Sequence, residues 1–110
     1  TPENLSALEE YAAATTVPLN RMALRILGDD DEDGLRDIST GYALTGIVRA
    51  IPFHRATGRD LLPQGATAES AASRARGLLG HQRPRSRYLR ACRALSLVYL
   101  DRLKSCGYRP

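Results

Sequence analysis

The chain has no tryptophan, one phenylalanine and one methionine, and aromatic side chains make up only 5% of its 110 residues. So few flat rings argue against a β-sandwich core and against a stacking platform for single-stranded nucleic acid. No window holds the roughly 18 consecutive apolar residues of a membrane-spanning helix. There is no CxxC pair, no GxSxG, and no glycine-rich phosphate loop following a strand. No signal peptide and no initiator methionine are visible, so the sequence is expected to begin after processing or after a missing segment. The only two cysteines, Cys92 and Cys106, fall within one helical pattern. Fourteen residues of helix separate them by roughly 21 Å, whereas a disulfide needs Cα atoms within about 7 Å. They cannot bridge inside that helix, which implies a reduced, intracellular chain. They fit better as core residues.

What remains is enough for one domain: 43% hydrophobic and 25% charged residues in 12.0 kDa. The formal charge of +4 is unevenly spread. Residues 1–70 carry six basic groups against eleven carboxylates, and residues 71–110 carry ten basic groups against Asp101 alone. Fifteen of the 16 cations are arginine, which favours contact with phosphate or carboxylate.

The periodicity is helical throughout. Thr1 is a candidate cap and Pro2 suits a first helical position. Leu5, Leu8, Tyr11, Ala12, Leu19, Met22, Ala23 and Ile26 then recur mostly at i+3/i+4 spacing, with Pro18 expected to kink or split the run and Gly28 to end it. A second helix is expected over 35–51. Its stretch Gly41–Ile51 is apolar nearly all round, as a helix at the centre of a bundle must be. Gly41 and Gly46 weaken that helix, so each is expected to admit a neighbouring backbone closely. Pro52 should end or kink it, followed by a loop over 53–65. A third helix is expected over 67–79 and a last over 86–106, striped by Leu89, Cys92, Leu95, Val98, Tyr99, Leu103 and Cys106 and closed by Gly107.

Three groups of residues could carry chemistry. Asp29, Asp31, Asp33, Gly34 and Asp37 occupy positions 1, 3, 5, 6 and 9 of a calcium-loop pattern. Its twelfth position is Thr40, which cannot supply the bidentate carboxylate, and a solvated loop before a helix is the plainer reading. His54 and His81 are too few for a metal site without carboxylates, and a packed or capping histidine is the commoner case. The arginines 74, 76, 83, 85, 87, 90 and 93 could meet phosphates, an anionic membrane surface or an acidic protein. They could equally be a solvated face balancing the acidic front. Only Tyr88 interleaves with them, so nucleic acid is disfavoured.

The stretch Gly41–Pro63, read as GYALTGIVRAIPFHRATGRDLLP, resembles the second signature of the squalene/phytoene synthase family. Thr45, Ile47, Arg49, Gly58, Arg59, Leu62 and Pro63 match that signature in order and spacing. The helical run 8–27 and the terminal Val98–Leu103 with Gly107-Tyr108 also look like the family. The likeness covers about residues 5–63 and 94–110. It implies an all-α, isoprenoid-synthase-like helical bundle of four to five helices, with 1–110 forming a single partial domain from the C-terminal half of the fold.

The departures from the signature concern its chemistry. The resemblance places the family's two metal-binding Asp positions at Ala50 and His54, and its Asn position at Gly46. Catalytic members use magnesium held by carboxylates to pull diphosphate from a prenyl substrate. Ala50 cannot hold a hard cation and histidine suits magnesium poorly. The run Arg49–His54 looks like the family's non-catalytic branch, which includes the mitochondrial assembly factor for respiratory complex I and its alphaproteobacterial relatives. That branch implies a pseudoenzyme without catalytic residues, metal or cofactor, placed in mitochondria on the matrix side or at the inner membrane, or in the cytoplasm of a bacterium. It implies other protein subunits as partners, among them a separately encoded N-terminal half of the fold. Arg83, Arg85, Arg87 and Arg90 are the candidate contacts to a partner or to an anionic membrane surface. The alternatives are a fragment of a prenyl-diphosphate synthase and an arginine-rich protein associated with ribosomes or RNA.

Overall fold

A computed structural model describes residues 4–56, 58 and 67–108, with the backbone alone for 53–55. Its elements are α1 (Leu5–Ile26), α2 (Leu35–Arg49), α3 (Ile51–Ala56), α4 (Ala68–Gly80) and α5 (Arg87–Ser105), with no strand among the described residues. The all-α bundle expected from the periodicity is the fold observed.

Local chemistry sets the helix ends. Asn4 Oδ1 accepts from the Ala7 N–H at 2.8 Å and starts α1. Thr67 and Ser70 exchange side-chain and backbone hydrogen bonds across the first turn of α4, and the Ser86 hydroxyl accepts from the Leu89 N–H to start α5. At the far end, the Tyr108 N–H reaches the Leu103 carbonyl and the Gly107 N–H reaches the Lys104 carbonyl. That closure requires a positive φ, which Gly107 supplies at +69°.

The helix α2 is the hub, with α1, α4 and α5 all packed on it. Its Ile38, Leu44 and Val48 are fully buried with Leu8 and Leu24 of α1, Leu79 of α4, and Leu89 and Leu100 of α5. Each such side chain contributes about 1.5–3 kcal/mol by leaving water. Gly41 allows α4 to come this close. A Cβ there would lie 2.6 Å from Leu79 Cγ and 3.2 Å from the Ala75 carbonyl oxygen. One polar chain links three helices: the Tyr88 hydroxyl donates to Asn20 Oδ1, and Asn20 Nδ2 donates to the buried Ser39 hydroxyl, both at 2.8 Å.

Several expectations are corrected. The first helix starts at Asn4, so Thr1 is not its cap. Pro18 neither splits nor ends α1, because it and Ala14 lie on the exposed face, where the carbonyl left without a donor can meet water. Met22, Leu19, Ile26 and Tyr11, expected in the core, stay 54–79% exposed, while Ala13, Asn20 and Leu24 turn inward. The expected end at Ile51 falls at Ala50, and the chain re-enters helix as α3, with Pro52 harmless in its first turn. In α5, Ser96 and Leu100 take the buried places assigned to Leu95 and Val98, and Cys106 is exposed. Both cysteines are free.

Candidate functional site

One side of α2, next to α5, is left open. Tyr42, Gly46 and Arg49 follow one another along it at i+4 and i+3, and Tyr42 and Arg49 are exposed. With Thr45 below and Leu95, Ser96 and Tyr99 of α5 beside them, they line a groove of about 160 Å³. Nothing lies within 4 Å of where a Gly46 Cβ would be. Gly46 therefore opens the groove and does not admit a neighbouring backbone, contrary to the expectation for it. Thr45 is buried and its hydroxyl donates to the Gly41 carbonyl at 2.8 Å, so its polar atom is spent inside the helix.

Electrostatically the groove is cationic and phenolic. Burial raises the Tyr99 phenol above its ordinary value, and the nearby Arg49 guanidinium opposes that rise. Ser96 differs from the other lining residues. It is only 3% exposed, and its hydroxyl has no hydrogen-bond partner among the described residues. An orphaned hydroxyl is costly in a folded chain, and this one borders the groove. Sequence reasoning missed Ser96, Tyr42 and Tyr99. The available signal was a serine one turn from both Cys92 and Leu100 in the inward stripe of α5.

Of the signature positions, Thr45, Gly46 and Arg49 come together in the groove, and Ala50 caps the end of α2 half-buried. His54 lies on α3 with its side chain outside the described residues, Gly58 adopts a positive φ of 76°, and Arg59, Leu62 and Pro63 fall outside the described residues. The described lining offers no carboxylate. Hydroxyls, a guanidinium and an aliphatic side chain do not fit the oxygen-rich octahedral shell that magnesium requires.

The other candidate groups also separate. Among the described residues, no three His, Cys, Asp or Glu side chains gather as a metal site. The acidic loop is tied by its own turns: Asp29 Oδ1 accepts from the Asp31 N–H, and Asp31 Oδ1 from the Asp33 N–H. Because α2 already begins at Leu35, Thr40 is buried in the core and Asp37 accepts from Gln82, so the twelve positions do not form a calcium loop. His81 is exposed at the end of α4. Arg74 grips Glu9 through two hydrogen bonds of 2.8 Å, and Arg76 holds Asp101 at 2.6 Å. Those two leave the arginine row, while 83, 85, 87, 90 and 93 have no carboxylate partner among the described residues.

The fold is thus a helical bundle around one hub helix, with a groove open beside that helix. A family model for squalene/phytoene synthase matches residues 1–105. The chain therefore belongs to the squalene/phytoene synthase family. No curated protein and no solved structure matches it.

Proposed function

We propose that the chain is a non-enzymatic member of this family that acts by binding other polypeptides. The observation that carries this reading is the groove. Where the signature would place its Asn the groove has Gly46, and where it would place a metal-binding Asp the chain has Ala50, one turn on. Neither residue offers a carboxylate to the magnesium cluster that would draw off diphosphate. The same surface suits a helix of another chain. Leu95 stands 67% exposed at the rim; elsewhere, Tyr11, Leu19, Met22 and Ile26 form a separate exposed apolar row along α1. The occupant that fits is a helix of a separate protein, carrying a carboxylate for Arg49 and a hydrogen-bonding group for Ser96. The likeness of Arg49–His54 to the non-catalytic branch supports a setting in a mitochondrial complex of the respiratory-chain type, on the matrix side or at the inner membrane.

Native mass spectrometry of the endogenous protein tests the partner claim. The expected result is a complex containing a second polypeptide that survives high salt. A chain that runs alone overturns the reading. Incubation with prenyl diphosphates and magnesium tests the chemistry. No transfer is expected, either from the natural chain or from Ala50→Asp/His54→Asp, because two carboxylates do not make a cluster that needs more. Turnover by the natural chain would refute the non-enzyme assignment.

A further inference from the structure

We propose that the corner between α4 and α5 is a docking surface for an anionic lipid bilayer, with a lipid phosphate seated among Arg83, Arg90 and Arg93. These three side chains, with Pro84 and Ala94, line an open hollow of about 490 Å³. Two of them are held in place by the end of α4. Arg93 Nε donates to the Leu79 carbonyl at 2.8 Å, and Arg83 Nη1 donates to the Gly80 and Gln82 carbonyls at 2.9 and 3.2 Å. Those bonds use one nitrogen of each guanidinium and leave the remaining donors of the fork for another acceptor. The Arg90 guanidinium makes no protein hydrogen bond or ion pair among the described residues, and Arg85 and Arg87 stand exposed beside it.

The placement of these charges is what points outward. The first turn of α5 contains no acidic residue, and arginines 87 and 90 lie in or next to it, at the helix end where a cation is disfavoured. Five guanidiniums without carboxylates repel one another as well. An external polyanion removes both penalties. Two observations favour a bilayer over RNA. Ala91, Ala94 and Val98 share the exposed face of α5 with Arg87 and Arg102, and Val98 is 67% exposed. An aliphatic strip flanked by arginines matches the boundary between headgroups and acyl chains. The one aromatic residue in the arginine row, Tyr88, is half-buried and bonded to Asn20, so no ring is free to stack on a base.

Flotation with vesicles tests this. The full chain is mixed with phosphatidylcholine vesicles, or with vesicles of equal parts phosphatidylcholine and phosphatidylglycerol. Binding is expected to the anionic vesicles and to fall steeply with salt. Arg85→Gln/Arg90→Gln should lower partitioning about thirty-fold while far-UV circular dichroism stays unchanged. Val98→Ser should weaken binding by a smaller factor. Arg21→Gln/Arg25→Gln removes the same charge from α1 and should change binding far less. An equal loss in that control, or no flotation with anionic vesicles, overturns the proposal. So does saturable binding of inorganic phosphate without vesicle binding, or tighter binding of a single-stranded RNA oligomer that Arg85→Gln/Arg90→Gln abolishes. The groove on α2 takes no part in these measurements, so their outcome is independent of the partner reading.

Discussion

Leu79 of α4 occupies the space into which a side chain on Gly41 of α2 would project, since a Cβ there would come within 2.6 Å of Leu79 Cγ. The Ala75 carbonyl oxygen stands 3.2 Å away on the same side, and backbone cannot swing aside as a side chain can. Gly41→Ala is therefore expected to lower stability by about 1–3 kcal/mol. Gly46→Ala, in the same helix with nothing within 4 Å, should raise it by up to about 1 kcal/mol through helix propensity alone. Urea unfolding of the two variants should give shifts of opposite sign. Destabilisation of similar size in both would show that the α2–α4 approach does not depend on Gly41.

Asn20 joins Ser39 and Tyr88, so a single amide connects α1, α2 and α5. Asn20 is 4% exposed and Ser39 is fully buried. Asn20→Ala leaves the Ser39 hydroxyl without its partner, and is expected to cost about 2 kcal/mol. Tyr88→Phe removes one bond at a half-buried position and should cost about 1 kcal/mol. Thermal unfolding of the pair and of the double variant would show coupling, with the two losses summing to more than the loss in the double variant.

The Glu9–Arg74 pair provides a pH dependence. The two-pronged hydrogen bond from Arg74 lowers the Glu9 carboxyl below its ordinary value of 4.5, against the opposing effect of burial. A carboxyl lowered on folding binds its proton more readily in the unfolded chain. Its contribution is therefore complete above pH 4.5 and is lost as pH falls through the lower folded value. Arg74 is half exposed, so solvent screening keeps the pair to about 1 kcal/mol or less. The stability difference between the natural chain and Glu9→Gln should be constant near neutrality and shrink below pH 4.5. A difference that does not change with acid would rule out this pair as its source.

The order of the four long helices and the central element were readable because α2 has to be apolar on most sides, whereas its neighbours need only one apolar stripe; the short α3 runs into residues expected to be loop. The direction of each stripe was not readable. In α1 and α5 the apolar residues cover more than half the circumference, so periodicity cannot tell which arc meets α2. Ser96 and Asn20 are two of the buried polar residues, and neither side chain is apolar enough to mark an inward position by composition alone. Gly41 and Gly46 illustrate the same limit: two glycines five residues apart share one helix, and only the position of α4 distinguishes a packing contact from an open groove. The signature positions in the groove were legible through Thr45, Gly46 and Arg49. Of the lining that α5 contributes, only Ser96 had a local signal, its place in the stripe of Cys92 and Leu100.

Ser96 gives the most direct test of what the groove is for. Its hydroxyl is buried without a partner, so in the isolated chain it carries a desolvation cost that Ala would not. Ser96→Ala should therefore raise the melting temperature of the free chain, by an amount corresponding to about 1 kcal/mol. If a partner helix bonds to that hydroxyl, the same substitution should weaken the complex, so stability and binding move in opposite directions. Gly46→Leu should also fill the groove without unfolding the chain, since nothing lies within 4 Å of the added Cβ. The expected pattern is two variants at least as stable as the natural chain, both deficient in partner retention on native mass spectrometry. Full retention with both would show that the partner docks elsewhere.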